Sequence, residues 1–292
     1  MKKRNLLVFV MFIAFTGIVF ITLNSFKQSA KVKAFGLQMY SIRDSIGKDV
    51  PRALAKISKM GYKYVEPAGY GDGKFYGVEA ATFKTLCKAN NLIMISSHTG
   101  RNAPDSSNYD ETMKWWDACI DAHIAAGAKY IIQASMGRPA LQSLKGLKSY
   151  CEYFNEVGAK CKAKGVRFGY HNHTREFTVK FDGQPAYDYL VANTDPSKVT
   201  FELDLGWAVE AGVNPVDYFN KYPGRFELWH IKDKEEVGAS GTMDFKSIWA
   251  NATISGMKFG IVEVEKYNFD QYTSCKKSLD FLNAASYVVM PK

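Results

Sequence analysis

From Phe35 to the C-terminus, short apolar runs alternate with longer stretches in which apolar residues recur every three or four positions. The short runs are rich in Val, Ile, Phe and Tyr and predict β-strands at 35–43, 62–68, 92–98, 130–134, 166–173, 200–205, 226–232 and 259–265. The longer stretches predict amphipathic helices, among them 50–60, 80–89, 111–126, 144–163 and 272–285. Several of these helices run into a glycine just before the next strand, as at Gly61, Gly165 and Gly256, which is the expected chemistry of a helix C-terminus. Eight β-α units in unbroken order predict a parallel sheet covered by helices, and eight is the number that closes a barrel. An open, doubly wound sheet is the competing arrangement, but no G-x-G-x-x-G follows the first strand and no P-loop occurs. The expectation is therefore one α/β domain, a (β/α)8 TIM barrel over residues 34–292.

The first 33 residues do not fit this alternation. Lys2, Lys3 and Arg4 precede an uncharged, mostly apolar run over residues 6–23. This is the pattern of a secretory signal peptide or an N-terminal membrane anchor, and the run is just long enough to span a bilayer. It predicts an exported protein, periplasmic or tethered to the membrane and facing outward.

Setting this segment apart changes the charge balance. The whole chain carries a formal +9, but Lys2, Lys3, Arg4, Lys27, Lys31 and Lys33 lie in the segment with no acid beside them, which leaves +3 for the body. A body so nearly balanced gives no support for a nucleic-acid partner. The five cysteines, Cys87, Cys119, Cys151, Cys161 and Cys275, form no C-x-x-C and fall in predicted helices, so they are expected to be buried thiols rather than a disulfide framework.

Candidate chemistry gathers at the ends of the late strands. His171 and His173, Glu202 and Asp204, His230 and Lys232, and Glu263 and Glu265 are i, i+2 pairs on four successive strands. Residues so spaced share one face of a strand, and the C-terminal ends of barrel strands form the active-site face. Imidazoles and carboxylates converging there suit one divalent cation such as Mn, Co, Zn or Mg. Burying so many ionisable groups without a metal or ligand would be costly. Glu66 and His98 end the second and third strands and could reach a substrate hydroxyl or carry a proton. Gln38, Tyr40 and Gln133 are weaker candidates at the same rim, and Trp207 could wall a sugar. His123 sits in the middle of a helix and reads as a packing or surface residue.

The stretches YVEPAGY, YHNHTREF, FELDLGWAVEAG, LWHIKDK and IVEVE resemble the xylose isomerase-like TIM-barrel superfamily of sugar isomerases and epimerases, and the resemblance covers residues 35–288. It implies one divalent metal held by Asp204, His230 and Glu263, with Glu265 as the alternative to Glu263. The fourth ligand of such enzymes is a Glu. Here His171 stands in its place, a variant that also resembles inosose dehydratase-like members, with His173 and Glu176 as fallback ligands. Glu66, His173, Glu176 and Trp207 are then the expected substrate contacts.

The resemblance also implies a metal-polarised carbonyl or hydroxyl oxygen and removal of a neighbouring C–H proton by His171, His98, Glu263 or Lys232. Return of the proton gives isomerisation or epimerisation; loss of a neighbouring group gives a lyase or dehydratase. The turn KYNFD after Glu265 lacks a glycine-rich phosphate cradle, and an exported enzyme would rarely meet sugar phosphates, so an unphosphorylated sugar is expected. A retired, sugar-binding barrel is the rival from another class. An endonuclease IV-like repair enzyme would need a His-rich three-zinc cluster, which five histidines in all make hard to supply.

Overall fold

A computed structural model describes residues 33–291. Eight strands form one sheet: β1 (Phe35–Gln38), β2 (Tyr64–Glu66), β3 (Ile93–Met94), β4 (Tyr130–Gln133), β5 (Arg167–His171), β6 (Val199–Asp204), β7 (Leu228–Ile231) and β8 (Phe259–Val262). The order runs β3-β2-β1-β8-β7-β6-β5-β4, and every pairing is parallel. The two ends of that order meet. Ile95 O accepts from Tyr130 N (3.0 Å), Ser97 O from Ile132 N (2.9 Å) and Ile132 O from Thr99 N (2.9 Å), so the chain beyond β3 pairs with β4 and the sheet closes. This is the expected TIM barrel.

Each strand leads into a helix on the outside: α1 (Val50–Met60), α2 (Ala80–Ala89), α3 (Tyr109–Ala126), α4 (Leu144–Ala163), α5 (Ala186–Asn193), α6 (Pro215–Lys221), α7 (Phe245–Ala250) and α8 (Gln271–Ala284). The first illustrates how the sequence sets both ends. Asp49 accepts from Arg52 N (2.9 Å) at the start, and Gly61 takes φ +108° at the end. Between them Val50, Ala53, Leu54 and Ile57 form the buried stripe. Burying each large aliphatic side chain stabilises by roughly 1.5–3 kcal/mol. Most apolar side chains pack between sheet and helices, and a smaller set, Ile95, Tyr130, Ile132, Leu228 and Ile261, fills the barrel interior. Gly169 belongs to the space economy of that interior: a Cβ there would lie 2.7 Å from Ile132 Cδ1 and 3.0 Å from Thr200 Cγ2.

The strands are shorter at their C-terminal ends than the apolar runs predict. At Gln38 the side chain accepts from Tyr40 N (3.0 Å) and the chain turns into a 3-10 helix, Met39–Ile42, instead of continuing to residue 43. At His171 the strand gives way to a short helix, Thr174–Thr178, with His173 as its first cap. A small three-stranded antiparallel sheet within residues 70–79 and a hairpin within residues 180–185 were not predicted. The five cysteines are buried and unpaired, as expected. The apolar segment 6–23, and with it the expected export or membrane tether, lies outside the described residues. Among the described residues no helix is long and apolar enough to cross a membrane.

Candidate metal centre

Strand register sets the heights of the site residues. Glu202 pairs with His171 across β5 and β6, and Asp204 with His230 across β6 and β7. The i, i+2 spacing therefore builds two layers inside the barrel.

The upper layer holds Asp204, His230 and Glu263. His230 Nδ1 lies 3.7 Å from Asp204 Oδ2 and 3.5 Å from Glu263 Oε2, and His171 Nε2 lies 3.9 Å from Asp204 Oδ2. Lys232 Nζ binds Glu263 Oε2 (2.9 Å) and Glu265 Oε1 (2.7 Å) and stands 4.0 Å from Asp204 Oδ2. Burial alone would lower the Lys232 pKa, but Asp204, Glu263 and Glu265 raise it above its ordinary value, so the ammonium is fixed.

The lower layer holds Glu66, His98 and Glu202. Glu66 Oε1 lies 2.7 Å from His230 Nε2 and accepts from Gln38 Nε2 at 2.8 Å. Glu202 Oε2 lies 2.7 Å from His98 Nε2, 3.2 Å from His230 Nε2 and 3.3 Å from His171 Nδ1. The last approach is too poorly aligned to count as a hydrogen bond. Burial and the neighbouring Glu66 push Glu202 up to about 7. Burial also works to raise Glu66, but His98 and His230 outweigh it and bring it down to about 2. His171 is held well below its usual range by burial and by the other imidazoles, and so is neutral.

These residues fit a divalent cation. The liganding atoms of Asp204, His230 and Glu263 all lie within 4.8 Å of one another, and so do those of His98, His171, Glu202 and His230. Asp204 Oδ2 and His230 Nδ1 are buried with no hydrogen-bond partner. Carboxylates face Nε2 of His230 from below, so that nitrogen carries a proton. Nδ1 is then free to present its lone pair beside two carboxylate oxygens, an arrangement that a cation relieves. A carboxylate behind a ligating imidazole is the usual support of such a ligand. In the absence of a cation, burial opposes charge on His230 but Glu202 and Glu263 raise its pKa well above the usual range, so cation binding displaces a proton.

A cavity of about 770 Å³ opens above the upper layer and is lined in part by His98, His171, His173, Trp207, Glu263 and Glu265. Tyr40 and Gln133 line it too, as do Arg101 and Asn102 from the loop after β3, which sequence patterning missed because an irregular loop carries no periodic signal. Two expected substrate contacts lie elsewhere. Glu66 is fully buried beneath His230, because the second strand ends one layer lower than the late ones. Glu176 is turned into the fold, where it accepts from Tyr170 Oη and His173 N and caps the helix Thr174–Thr178. His123 is buried in α3 against Tyr70 and Phe75 of the small three-stranded sheet, a packing residue as expected.

Residues 54–284, which include every site residue from Glu66 to Glu265, match the family described as xylose isomerase-like TIM barrel. The chain belongs to that family. The sugar phosphate isomerase/epimerase of Parabacteroides distasonis is 34% identical in sequence, superposes with a TM-score of 0.81, and the match covers 88% of this chain and 99% of that one. Inosose dehydratase of Lacticaseibacillus casei is 26% identical over 283 residues, 80% of this chain and 91% of the relative. L-ribulose 3-epimerase, at 15% identity and a TM-score of 0.70 over 86% of this chain and 94% of its own, shares the fold. Members of the xylose isomerase-like family are enzymes of sugar isomerisation, epimerisation and dehydration, and the buried His, Glu and Asp cluster of this member could hold the divalent metal typical of them.

Proposed function

We propose that this chain is a divalent-metal-dependent sugar isomerase or epimerase that removes a proton next to a carbonyl of an unphosphorylated sugar. The observation that carries the reading is the convergence of Asp204 Oδ2, His230 Nδ1 and Glu263 Oε2, the first two buried and unpartnered, beneath a 770 Å³ cavity that Glu263 itself lines. Asp204, His230, Glu263 and His171 would hold the ion, with Glu265 as the alternative carboxylate. A bound Mn, Co, Zn or Mg ion would polarise the substrate carbonyl and stabilise the charge that develops on its oxygen.

The protein's own groups supply the rest. Glu263 reaches the cavity and takes the proton from the carbon beside the carbonyl; Lys232 holds the carboxylate in place from the other side. The C–H bond breaks and its electron pair forms the C=C bond of an enediolate. His98, which lines the cavity and where the lowering effect of burial is outweighed by Glu66 and Glu202 so that its pKa is raised, returns a proton to the same or the neighbouring carbon, whereas His171, neutral and a ligand of the ion, has none to give. His98 has its Nε2 engaged by Glu202, which leaves Nδ1 for a substrate group. Trp207 and His173 wall the sugar.

A second reading, a lyase or dehydratase, has one observation in its favour. His171 stands where a second carboxylate would serve an epimerase, and inosose dehydratase is among the relatives. In that case the same proton is removed, and a hydroxyl on the next carbon departs as water with a proton from His98. We also propose, from the basic start and apolar run of residues 1–33, that the chain is exported; cell fractionation tests this, and a purely cytoplasmic pool would refute it.

Metal analysis of the purified protein, with NMR of keto-sugars in D2O, tests the reading. Bound metal and deuterium on carbon without loss of water support the isomerase or epimerase, whereas an unsaturated product supports the lyase. Asp204→Ala and His230→Ala are expected to lose bound metal; normal metal content in both would remove the proposed centre.

A further inference from the structure

We propose that a second cavity beside the metal centre is a subsite for a second sugar ring, so that the substrate is a keto-sugar joined through a glycosidic bond to another sugar. The inference rests on the reading of the centre as a site of sugar chemistry and names its substrate class.

The second cavity has a volume of about 360 Å³ and shares Trp207 and Glu265 with the larger one. A molecule seated over the metal centre would therefore meet its entrance across that common wall. The wall is tied together. Lys232 Nζ lies 4.2 Å from the centre of the Trp207 ring and 2.7 Å from Glu265 Oε1. Gly206, the glycine of the D-x-G-W stretch, makes the tie possible: a Cβ there would come within 2.9 Å of Lys232 Cγ. The stretch thus does two jobs, since Asp204 faces the metal centre while Gly206 and Trp207 shape the partition.

The outer wall is also built in advance. Met243 stands at the end of the loop after β7, and Asp233 braces that loop by accepting from Lys234 N (2.8 Å), Gly238 N (3.0 Å) and Ser240 Oγ. A pocket whose walls are fixed before the ligand arrives loses less on binding.

The lining selects the ligand. Trp207, Val209 and Met243 are apolar, while Lys234, Lys266 and Glu210 present charged ends at the exposed rim. A pyranose has C–H faces for the first set and an edge of hydroxyls for the second. An aromatic aglycone would use only the apolar part.

Isothermal titration of the purified, metal-loaded protein with glucose, galactose, maltose, cellobiose, lactose and p-nitrophenyl glucoside tests the proposal. At least one disaccharide is expected to bind ten-fold or more tightly than its component monosaccharides. Met243→Trp, which fills the second cavity, is expected to abolish that advantage and leave metal content and monosaccharide binding unchanged. The proposal is overturned if no disaccharide binds more tightly than its components, a comparison the wild-type protein decides alone. It is likewise overturned if the advantage survives Met243→Trp, or if the p-nitrophenyl glucoside binds more tightly than every disaccharide. Deuterium uptake by free keto-sugars separates the two readings: the metal-centre reading predicts uptake by wild type and Met243→Trp alike, whatever the fate of the subsite.

Discussion

A single carboxylate oxygen, Glu202 Oε2, stands within 3.3 Å of three imidazole nitrogens, on His98, His171 and His230. Together with Glu66 it fixes which nitrogen of each ring can face upward, so the lower layer acts by orienting the upper one. Glu66→Gln keeps the size of the side chain but loses the carboxylate behind His230. It is expected to weaken metal affinity about 10- to 100-fold with the fold intact, as read by chelator competition and circular dichroism. Unchanged affinity would show that Glu66 does not support His230.

Away from the site, His123 carries a separate prediction. Burial lowers its pKa from 6.5 to about 4, and its Nδ1 donates to Cys119 O at 2.7 Å. Between those values the unfolded chain binds the extra proton, so stability is present above pH 6.5 and falls as pH is lowered towards 4. The loss between pH 7.5 and pH 5 is about 2 kcal/mol from this residue. Urea unfolding of wild type and His123→Phe at both pH values checks it: the variant should lose less on acidification, and equal losses would refute it.

At the scale of elements, the helices were the most legible part of the chain. Residues 50–60, 80–89 and 144–163 are helical over the same bounds that the apolar spacing and the caps predict. Strand ends were less so, since an apolar run does not reveal that the Gln38 side chain will cap a 3-10 turn, or that a helix capped at His173 and Glu176 will follow directly on His171. The start of α4 shows a contact that no periodicity records. Gly146 lies so close to the 3-10 turn Arg138–Leu141 that a Cβ would sit 2.0 Å from Pro139 O. Gly146→Ala gains helix propensity but must push the two elements apart, and a net destabilisation of about 1–3 kcal/mol is expected from denaturant midpoints. A stabilised variant would mean that the turn yields freely.

At the scale of the whole molecule, the barrel brings charges together that could not lie buried side by side in its absence. Asp204, Glu263 and Glu265 face one fixed cation, Lys232, and the remainder fits a divalent ion. Metal is therefore expected to stabilise the fold as well as to act in chemistry. At one hundred times its dissociation constant a ligand adds about 2.7 kcal/mol. For a domain of this size that corresponds to roughly 5–10 °C in Tm. Thermal unfolding with EDTA and with excess Mn or Zn measures it, and an identical Tm in both would count against a metal bound in the native state.

Short apolar runs alternating with stretches of 3.6-residue period, with glycines closing the helices, determined eight β-α units and hence the parallel barrel, because a strand buried on both faces and a helix buried on one make local demands that sequence spacing meets directly. The i, i+2 pairs determined which late-strand residues face inward, for the same reason. Only the tertiary structure decided height and neighbourhood. Strand register set Glu66 and Glu202 one layer below Asp204 and His230, and the packing of the segments beyond the strands divided the space above the centre at Trp207. These outcomes depend on distances between residues up to 164 positions apart in the chain, as from Glu66 to His230, and spacing along the chain carries no record of them.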